Sequence, residues 1–202
     1  MSRDKFMKEV APVIVRVATE KGYKYPSAII AQAICESGWG DSLLASKFFN
    51  FFGMKCGKGW KGKYTDMRTK EEYKKGTLTD ISAKFRAYDS IEQGVRGYFD
   101  FISSKRYANL KKANSAYEYI DMLKVDGYAT SSTYVDIVYN IWKVNNLGTY
   151  DKAVATSVGG SGELESALKV IAKNVIAGKF GDGRARKENI YKAIQEQVNK
   201  LV

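Results

Sequence analysis

The stretch PSAIIAQAICESGWG, residues 26–40, decides the fold of this chain. Its opening proline and serine are typical of a helix start, and Gly38 is a natural helix end, so it predicts a helix over residues 26–37. Apolar residues surround almost the whole circumference of this helix, which predicts that it is buried. The polar exceptions, Gln32 and Glu36, are four residues apart on one face. Because a polar stripe on a buried helix usually faces a cleft, we expect both side chains to line one.

Helical patterns flank this stretch on both sides. Before it, apolar residues at helical spacing predict a helix that runs to about Gly22. Pro12 separates the first turn or two from the main part, because its ring clashes with the preceding turn. Later in the chain, two serine capping boxes predict helices near residues 91–104 and 116–126, and a further helix is expected near residues 133–147.

Residues 47–88 show a different pattern, with aromatic residues, glycines and short alternating stretches. They predict turns and a small β-hairpin region that includes FNFFGMKC (residues 49–56) and ISAKFRAY (residues 81–88). The predicted fold class is therefore mainly α, with a small β-hairpin lobe beside the helices.

The stretch TSVGGSGE, residues 156–163, has the composition of a flexible linker. We predict a main domain over residues 1–151, a linker over residues 152–162 and a small three-helix domain over residues 163–202. About forty residues cannot support a large core, so the small domain is expected to bind something rather than to catalyse a reaction.

The composition limits the chemistry that is possible. The 202 residues include no histidine. Serine–histidine and cysteine–histidine nucleophilic sites are therefore excluded, and a zinc site would lack its commonest ligand. Carboxylate acid–base chemistry remains, and we expect neither a metal nor a cofactor.

The formal net charge of +11 favours an anionic polymer as partner. The lysines are dispersed along the chain, whereas nucleic-acid binding predicts a clustered basic face, so we expect no nucleic acid as partner. The sequence has no apolar run of signal-peptide or membrane-helix length, which predicts synthesis in the cytoplasm and no membrane partner. Cys35 and Cys56 are then expected as reduced thiols, and a disulfide between them, formed in the more oxidising wall environment, is the alternative. The oligomeric state stays open.

Glu36 is the candidate for acid–base chemistry. The negative end of the helix dipole disfavours its ionised form by about 0.3–1 kcal/mol. Desolvation by Trp39 and the apolar helix faces adds a larger effect in the same direction. Both favour the protonated carboxyl that a glycosidic general acid requires. The alternative is an exposed helix-end glutamate, or one that pairs with an arginine.

Five motifs together resemble the glucosaminidase domain of glycoside hydrolase family seventy-three, over about residues 5–150. They are AQAICESGWG (31–40), NFFGMK (50–55), EYKKG (72–76), FRAYDS (85–90) and GYATSSTY (127–134). The resemblance implies a lysozyme-like catalytic domain that cleaves the β-1,4 bond on the reducing side of N-acetylglucosamine in peptidoglycan strands. It also implies that Glu36 is the general acid. A muramidase or lytic transglycosylase of similar fold is the nearest alternative, and a noncatalytic wall- or nucleic-acid-binding protein is the alternative of a different class.

The resemblance implies Glu72, which precedes Tyr73 in the β lobe, as the second acidic group. Glu71 competes with it, because a slip of one residue in a strand reverses the face on which a side chain lies. Retaining, inverting and substrate-assisted mechanisms all stay open, since carboxyl separation distinguishes the first two and cannot be read from the sequence.

Tyr128 lies where the family has a cleft tyrosine, so the resemblance implies a role for it in catalysis or substrate contact. Ser131 stands where the family pattern has an aspartate, so this sequence departs from the family at that position. The expected substrate-binding residues are Gln32, Trp60, Tyr64 and Tyr134.

The tail carries a second resemblance. Residues 163–202, with VIAGKFGDGR at 175–184, are similar to the cell-wall-binding repeat of certain phage lysozymes. The resemblance implies Phe180, Asp182 and Arg184 as muropeptide contacts, and the alternative is a plain turn between helices. A wall hydrolase with its own wall-binding module and no signal peptide is typical of an endolysin that reaches the cell wall after release.

Overall fold

The structure, a computed structural model, describes the backbone of residues 1–74 and 77–151 and a few positions beyond them, namely 171, 175, 178, 186, 189, 190 and 192–194. Side chains are described for the same residues except 68–81. The chain divides into two compact units, Met1–Asp151 and Lys152–Val202.

The first unit is mainly α with one two-stranded antiparallel sheet, as predicted. Its elements are α1 (Arg3–Glu9), α2 (Ala11–Glu20), α3 (Pro26–Ser37), α4 (Leu43–Phe48), β1 (Tyr64–Lys74), β2 (Thr77–Arg86), α5 (Ile91–Ile102), a 3-10 helix (Lys105–Lys112), α6 (Ala116–Val125) and α7 (Tyr134–Val144).

The prediction for α3 is confirmed at both ends. The helix spans Pro26–Ser37 and ends at Gly38, whose φ of 56° lies in the left-handed region that glycine adopts at low cost. Its faces are buried on nearly every side against α2, α6 and α7. The predicted break before α2 is also present, with Pro12 in the first turn of that helix, where a proline costs no hydrogen bond.

The N-terminus of α3 is capped from far along the chain. Tyr25 makes no side-chain capping bond there. Asp151 caps the helix instead. Its carboxylate accepts from the backbone N–H of Ser27 at 2.9 Å and from the Ser27 hydroxyl at 2.5 Å. The indole of Trp142 also donates to that hydroxyl, at 2.7 Å. The last residue of the first unit thus satisfies the Ser27 N–H, which the helix itself leaves without a partner.

The β lobe is a single hairpin in which β1 and β2 pair in antiparallel register. The stretch FNFFGMKC, predicted as part of the hairpin region, forms a turn instead, with one isolated bridge from Lys55 to Phe85. Its three phenylalanines and Met54 pack partly or fully into the core, so they anchor a loop rather than alternate across a strand.

The later helices begin where the serine caps predict. The hydroxyl of Ser90 accepts from the N–H of Gln93, and that of Ser115 accepts from the N–H of Glu118. The helix expected near residues 133–147 ends earlier, at Val144. The sequence patterns missed α4 and the 3-10 helix, which have only 6 and 8 residues and so show little periodicity.

In the second unit, the described residues at 171, 175, 186, 189, 190 and 192–194 are helical, and Gly178 lies in a turn. The candidate contacts Phe180, Asp182 and Arg184 lie outside the described residues, so they and the three-helix arrangement stay predictions. No helix in the described part of the chain has the length and apolarity to cross a membrane.

Candidate active site

A pocket of about 630 Å³ opens beside the C-terminal end of α3. Its lining comes from the end of α3, the loop after α4, the end of β2, the end of α5, the start of the 3-10 helix, and the stretch from the end of α6 to the first residue of α7. Its lining consists of Cys35, Glu36, Phe52, Gly53, Met54, Lys55, Cys56, Gly57, Arg86, Phe101, Arg106, Tyr107, Gly127, Tyr128, Ala129, Thr130, Ser131 and Tyr134.

Glu36 lies in the last turn of α3 with its partly buried carboxyl in this pocket. Its Oε1 accepts a hydrogen bond from the Tyr134 hydroxyl at 3.1 Å. Burial raises the pKa of Glu36 above its usual value, and the hydrogen bond from Tyr134 opposes part of that rise. Gly53 faces the other oxygen, since a Cβ placed there would lie 3.7 Å from Oε2. The site therefore favours a protonated carboxyl with one oxygen held and the other open to the pocket.

Replacement of Tyr134 by phenylalanine is expected to move the basic limb of the pH–rate profile to higher pH. The hydrogen bond from Tyr134 stabilises the carboxylate, so its loss raises the pKa of Glu36 and keeps the acid protonated further into the alkaline range. The plateau rate should also fall, because the carboxyl loses its anchor. The measurement is kcat/KM against pH, with Tyr117→Phe, at an exposed position, as control. A basic limb that moves to lower pH would contradict this account.

Tyr128 lines the pocket, but its hydroxyl is already engaged. It donates to the backbone carbonyl of Phe52 at 2.7 Å. Its ring packs edge-on against Tyr98 and Phe101 and lies near Tyr134. Tyr128 thus forms part of the pocket wall and is hydrogen-bonded to the loop that carries Gly53, while its role in catalysis or substrate contact stays a prediction.

Gln32 does not line the pocket, contrary to the prediction from the helix stripe. It is fully buried, and its Oε1 accepts from the Tyr98 hydroxyl at 2.6 Å. That hydroxyl also lies 3.1 Å from the hydroxyl of Tyr119. The polar stripe of α3 therefore serves two purposes, since Glu36 faces the pocket while Gln32 joins a buried tyrosine network.

Two of the aromatic residues expected to bind substrate, Trp60 and Tyr64, do not line the pocket around Glu36. Tyr64 is exposed and lines a second pocket, of about 590 Å³, together with Lys47, Phe48, Lys61, Gly62, Lys63, Ala87, Tyr88 and Asp89. Trp60 lies under the guanidinium of Arg86, which is 4.4 Å from its ring centroid. Its contact with the pocket is thus indirect, through Arg86.

Glu71 and Glu72 both lie on β1, where their Cα partners across the hairpin are Thr79 and Leu78. Their side chains lie outside the described residues, so the choice between them stays a prediction. Glu36 is the one carboxylate among the described residues that line the pocket.

The sequence patterns missed the residue that shapes the pocket loop. Asn50 is buried and holds three backbone groups: its Oδ1 accepts from Met54 N at 2.9 Å, and its Nδ2 donates to Met54 O at 3.0 Å and to Arg86 O at 2.8 Å. One side chain thereby ties the loop that carries Gly53 to the end of β2. An asparagine before a run of apolar residues was the available signal, because a buried amide needs several partners.

Both cysteines line the pocket, and both are free thiols. Burial raises the pKa of Cys35 to about 11, and the neighbouring Glu36 adds to this effect. The thiol of Cys35 is therefore neutral at physiological pH and a weak nucleophile. No group of three potential metal-ligating Cys, Asp or Glu residues occurs within the described part of the chain.

Comparison with known protein families gives two matches along this chain. The glucosaminidase family, described as mannosyl-glycoprotein endo-β-N-acetylglucosaminidase, matches residues 11–147. The CW_7 repeat matches residues 169–202. The first match contains α2 to α7 and hence the whole pocket.

Two curated relatives are similar over the first unit. Exo-glucosaminidase LytG of Bacillus subtilis is 34% identical over 143 residues, which are 68% of this chain and 50% of the relative. Peptidoglycan hydrolase FlgJ of Escherichia coli is 35% identical over 118 residues, which are 56% of this chain and 37% of the relative. The chain thus spans half the length or less of these two relatives.

A solved structure shares the fold. The crystal structure of a peptidoglycan hydrolase mutant from Sphingomonas sp. A1 superposes with a TM-score of 0.64 at 29% sequence identity. The match covers 74% of this chain and 97% of the other. This likeness confirms the predicted fold class.

Proposed function

Since this chain belongs to the glucosaminidase family of glycoside hydrolases, we propose that its first unit cleaves the β-1,4 bond on the reducing side of N-acetylglucosamine in peptidoglycan. The observation that carries the proposal is Glu36, a partly buried carboxyl with a raised pKa that opens onto the pocket and is held by Tyr134.

In the proposed reaction, Glu36 donates its proton to the glycosidic oxygen as the bond to the anomeric carbon breaks. The transition state then resembles an oxocarbenium ion, and the leaving sugar departs as a neutral alcohol. As Glu36 becomes a carboxylate, its hydrogen bond from Tyr134 becomes charge-assisted and strengthens. Tyr134 therefore supports the product state of the proton transfer while it fixes the orientation of the acid.

The second group is proposed to be Glu72, which acts as nucleophile or base, or orients an acetamido group of the substrate. Glu72→Gln is expected to lower the rate more than Glu71→Gln, because neighbouring positions on a strand face opposite sides. If the acetamido group is the nucleophile, Glu72→Gln should lower the rate less than a change at Glu36 does. The measurement is kcat on soluble strands for both variants, and equal, near-normal rates would remove both residues from the mechanism.

Product analysis tests the proposed bond. Mass spectrometry of digests from purified peptidoglycan should find reducing N-acetylglucosamine. Reducing N-acetylmuramic acid would instead indicate a muramidase, and anhydro-N-acetylmuramic acid a lytic transglycosylase. The length distribution of early products distinguishes internal cleavage, which we propose, from release at strand ends. If the folded wild-type protein releases no product at all, the noncatalytic wall-binding alternative is favoured.

For the second unit we propose retention on the bacterial cell wall, through Phe180, Asp182 and Arg184. The match to the CW_7 repeat and the net charge of +11 support this. Tethering raises the local concentration of the catalytic unit at its substrate. The whole chain is therefore proposed to act at the wall.

A protein truncated after Asp151 should cleave soluble peptidoglycan strands at nearly the full rate. It should lyse intact cell walls more slowly than the full chain does. Asp151 itself must stay, because it caps α3. The measurement is wall lysis at low enzyme concentration, at low and high salt, since salt screens a generic charge attraction. Arg184→Ala in the full chain is the matched point variant. If truncation changes neither wall binding nor lysis at either salt concentration, the second unit does not target the wall.

A further inference from the structure

The pocket around Glu36 is lined by more cations than anions. Glu36 is the one acid among its described lining residues, whereas Lys55, Arg86 and Arg106 bring positive charge. When Glu36 carries the proton that it donates, the described lining holds no negative side chain at all. Such a pocket attracts an anionic ligand.

Arg86, at the end of β2, is held by neutral partners. Its Nε donates to the backbone carbonyl of Lys55 at 3.3 Å. Its guanidinium lies over the ring of Trp60 and 5.8 Å from the ring centroid of Phe101. Within the described residues no carboxylate forms a salt bridge with it. These contacts hold the guanidinium in place without pairing its charge with a carboxylate of the described residues.

Arg106, at the start of the 3-10 helix, is held in the same way from another element. Its Nε donates to the backbone carbonyl of Asp126. A Cβ at Gly127 would lie 2.1 Å from one of its terminal nitrogens, so glycine makes room for the guanidinium. The carboxylate of Asp126 accepts from Asn109 instead, and no described carboxylate pairs with Arg106 in a salt bridge.

Two preoriented guanidinium groups in one pocket match carboxylates, because each presents a planar fork of donors that a carboxylate can accept. We propose that Arg86 and Arg106 bind carboxylates of the glycan strand and make the site selective for acidic over neutral polymers of N-acetylglucosamine. This inference rests on the proposed function.

Two parts of peptidoglycan offer that chemistry. The muramic sugar carries a lactyl group whose carboxylate is free where the stem peptide has been removed. Where the peptide is present, the lactyl carboxyl is amide-linked and the peptide supplies carboxylates of its own. A homopolymer of N-acetylglucosamine has neither, so charge separates the two substrate classes.

The test uses the full chain and matched soluble strands. One pair has no stem peptides, with lactyl carboxylates either free or converted to methyl amides. A second pair keeps the stem peptides, with their carboxylates free or amidated. The measured quantity is the ratio of kcat/KM for the charged strand to that for its neutralised counterpart. The pair whose ratio depends on the arginines identifies the source of the carboxylate.

For the wild type, this ratio is expected to be about ten. Most of the difference should come from a lower KM for the charged strand, because hydrogen bonds to charged groups are stronger than neutral ones. Arg86→Gln and Arg106→Gln should each reduce the ratio, the double variant should bring it close to one, and Arg86→Lys should restore part of it. Lys84→Gln removes the same charge from β2 outside the pocket lining and should leave the ratio unchanged. A wild-type ratio of one, or a ratio that survives in the double variant, overturns the proposal.

Failure of the proposed function gives a different result. In that case wild-type protein cleaves none of the four strands, or leaves muramic acid at the reducing ends. Charge preference is then measured as the ratio of Kd values of the Glu36→Gln protein for the same pairs. Equal binding of charged and neutralised strands overturns the role of the arginines, whatever bond the enzyme cuts.

Discussion

Glu36→Gln is expected to lower the rate of glycan cleavage by about 10²–10⁴-fold, the usual contribution of a general acid. The amide keeps the size of the side chain and can still accept from Tyr134, but it has no proton to give to the glycosidic oxygen. The measurement is kcat on soluble strands with the folded variant. Glu9→Gln, at an exposed position on α1, is the control and should keep wild-type activity. A folded Glu36→Gln protein with most of the wild-type rate would falsify the assignment.

The same variant is expected to be more stable than the wild type at neutral pH. Burial raises the folded-state pKa of Glu36 above the unfolded value, so the folded state binds more protons between these two pKa values. Wild-type stability therefore falls as the pH rises through that range, and the deficit is complete above the folded pKa. Glutamine does not ionise, so Tm should rise at neutral pH, and the difference should shrink below the unfolded pKa. A lower Tm at neutral pH would contradict this sign.

Asn50→Leu is expected to destabilise the first unit by about 2–4 kcal/mol, because it leaves buried backbone groups without partners. The N–H of Met54 and the carbonyl of Arg86 both lose the amide that now satisfies them. Thermal unfolding measures the change, at about 2–4 °C of Tm per kcal/mol for a unit of this size. At temperatures well below the melting range, glycan cleavage should also be slower, because the loop that carries Gly53 loses its side-chain hydrogen bond to β2 and keeps only the backbone ones.

Asn140→Leu provides the matched comparison for Asn50. Asn140 is exposed on α7, so the same chemical change there should alter stability by no more than about 0.5 kcal/mol. If both variants unfold at the same temperature, the three hydrogen bonds of Asn50 do not stabilise the loop.

Local signals explain which parts of this molecule can be predicted from its sequence. The ends of α3, the break before Pro12 and the caps at Ser90 and Ser115 each depend on a few neighbouring residues, and the structure has all of them. The placement of Glu36 in a pocket follows from the same helix. Short elements such as α4 are not predicted, because six residues show too little periodicity.

Gln32 shows where local reasoning ends. The stripe on α3 correctly separates Gln32 and Glu36 from the apolar positions, but it cannot tell a cleft from a buried polar partner. That partner is Tyr98, which lies 66 residues away on α5. Arg86 and Arg106 illustrate the same limit, since only the packed structure brings the end of β2 and the start of the 3-10 helix to one pocket.

The capping of α3 by Asp151 has a consequence for the nascent chain. The two residues that meet at this cap, Ser27 and Asp151, are 124 positions apart. At synthesis rates of about 5–20 residues per second, roughly ten seconds separate their emergence from the ribosome. During that interval the helix that carries the acid has no carboxylate at its N-terminus, and contacts of such long separation form late in folding. We therefore expect ribosome-bound chains that stop short of Asp151 to show α3 amides that exchange with solvent faster than those of the released protein, with the difference greatest around Ser27.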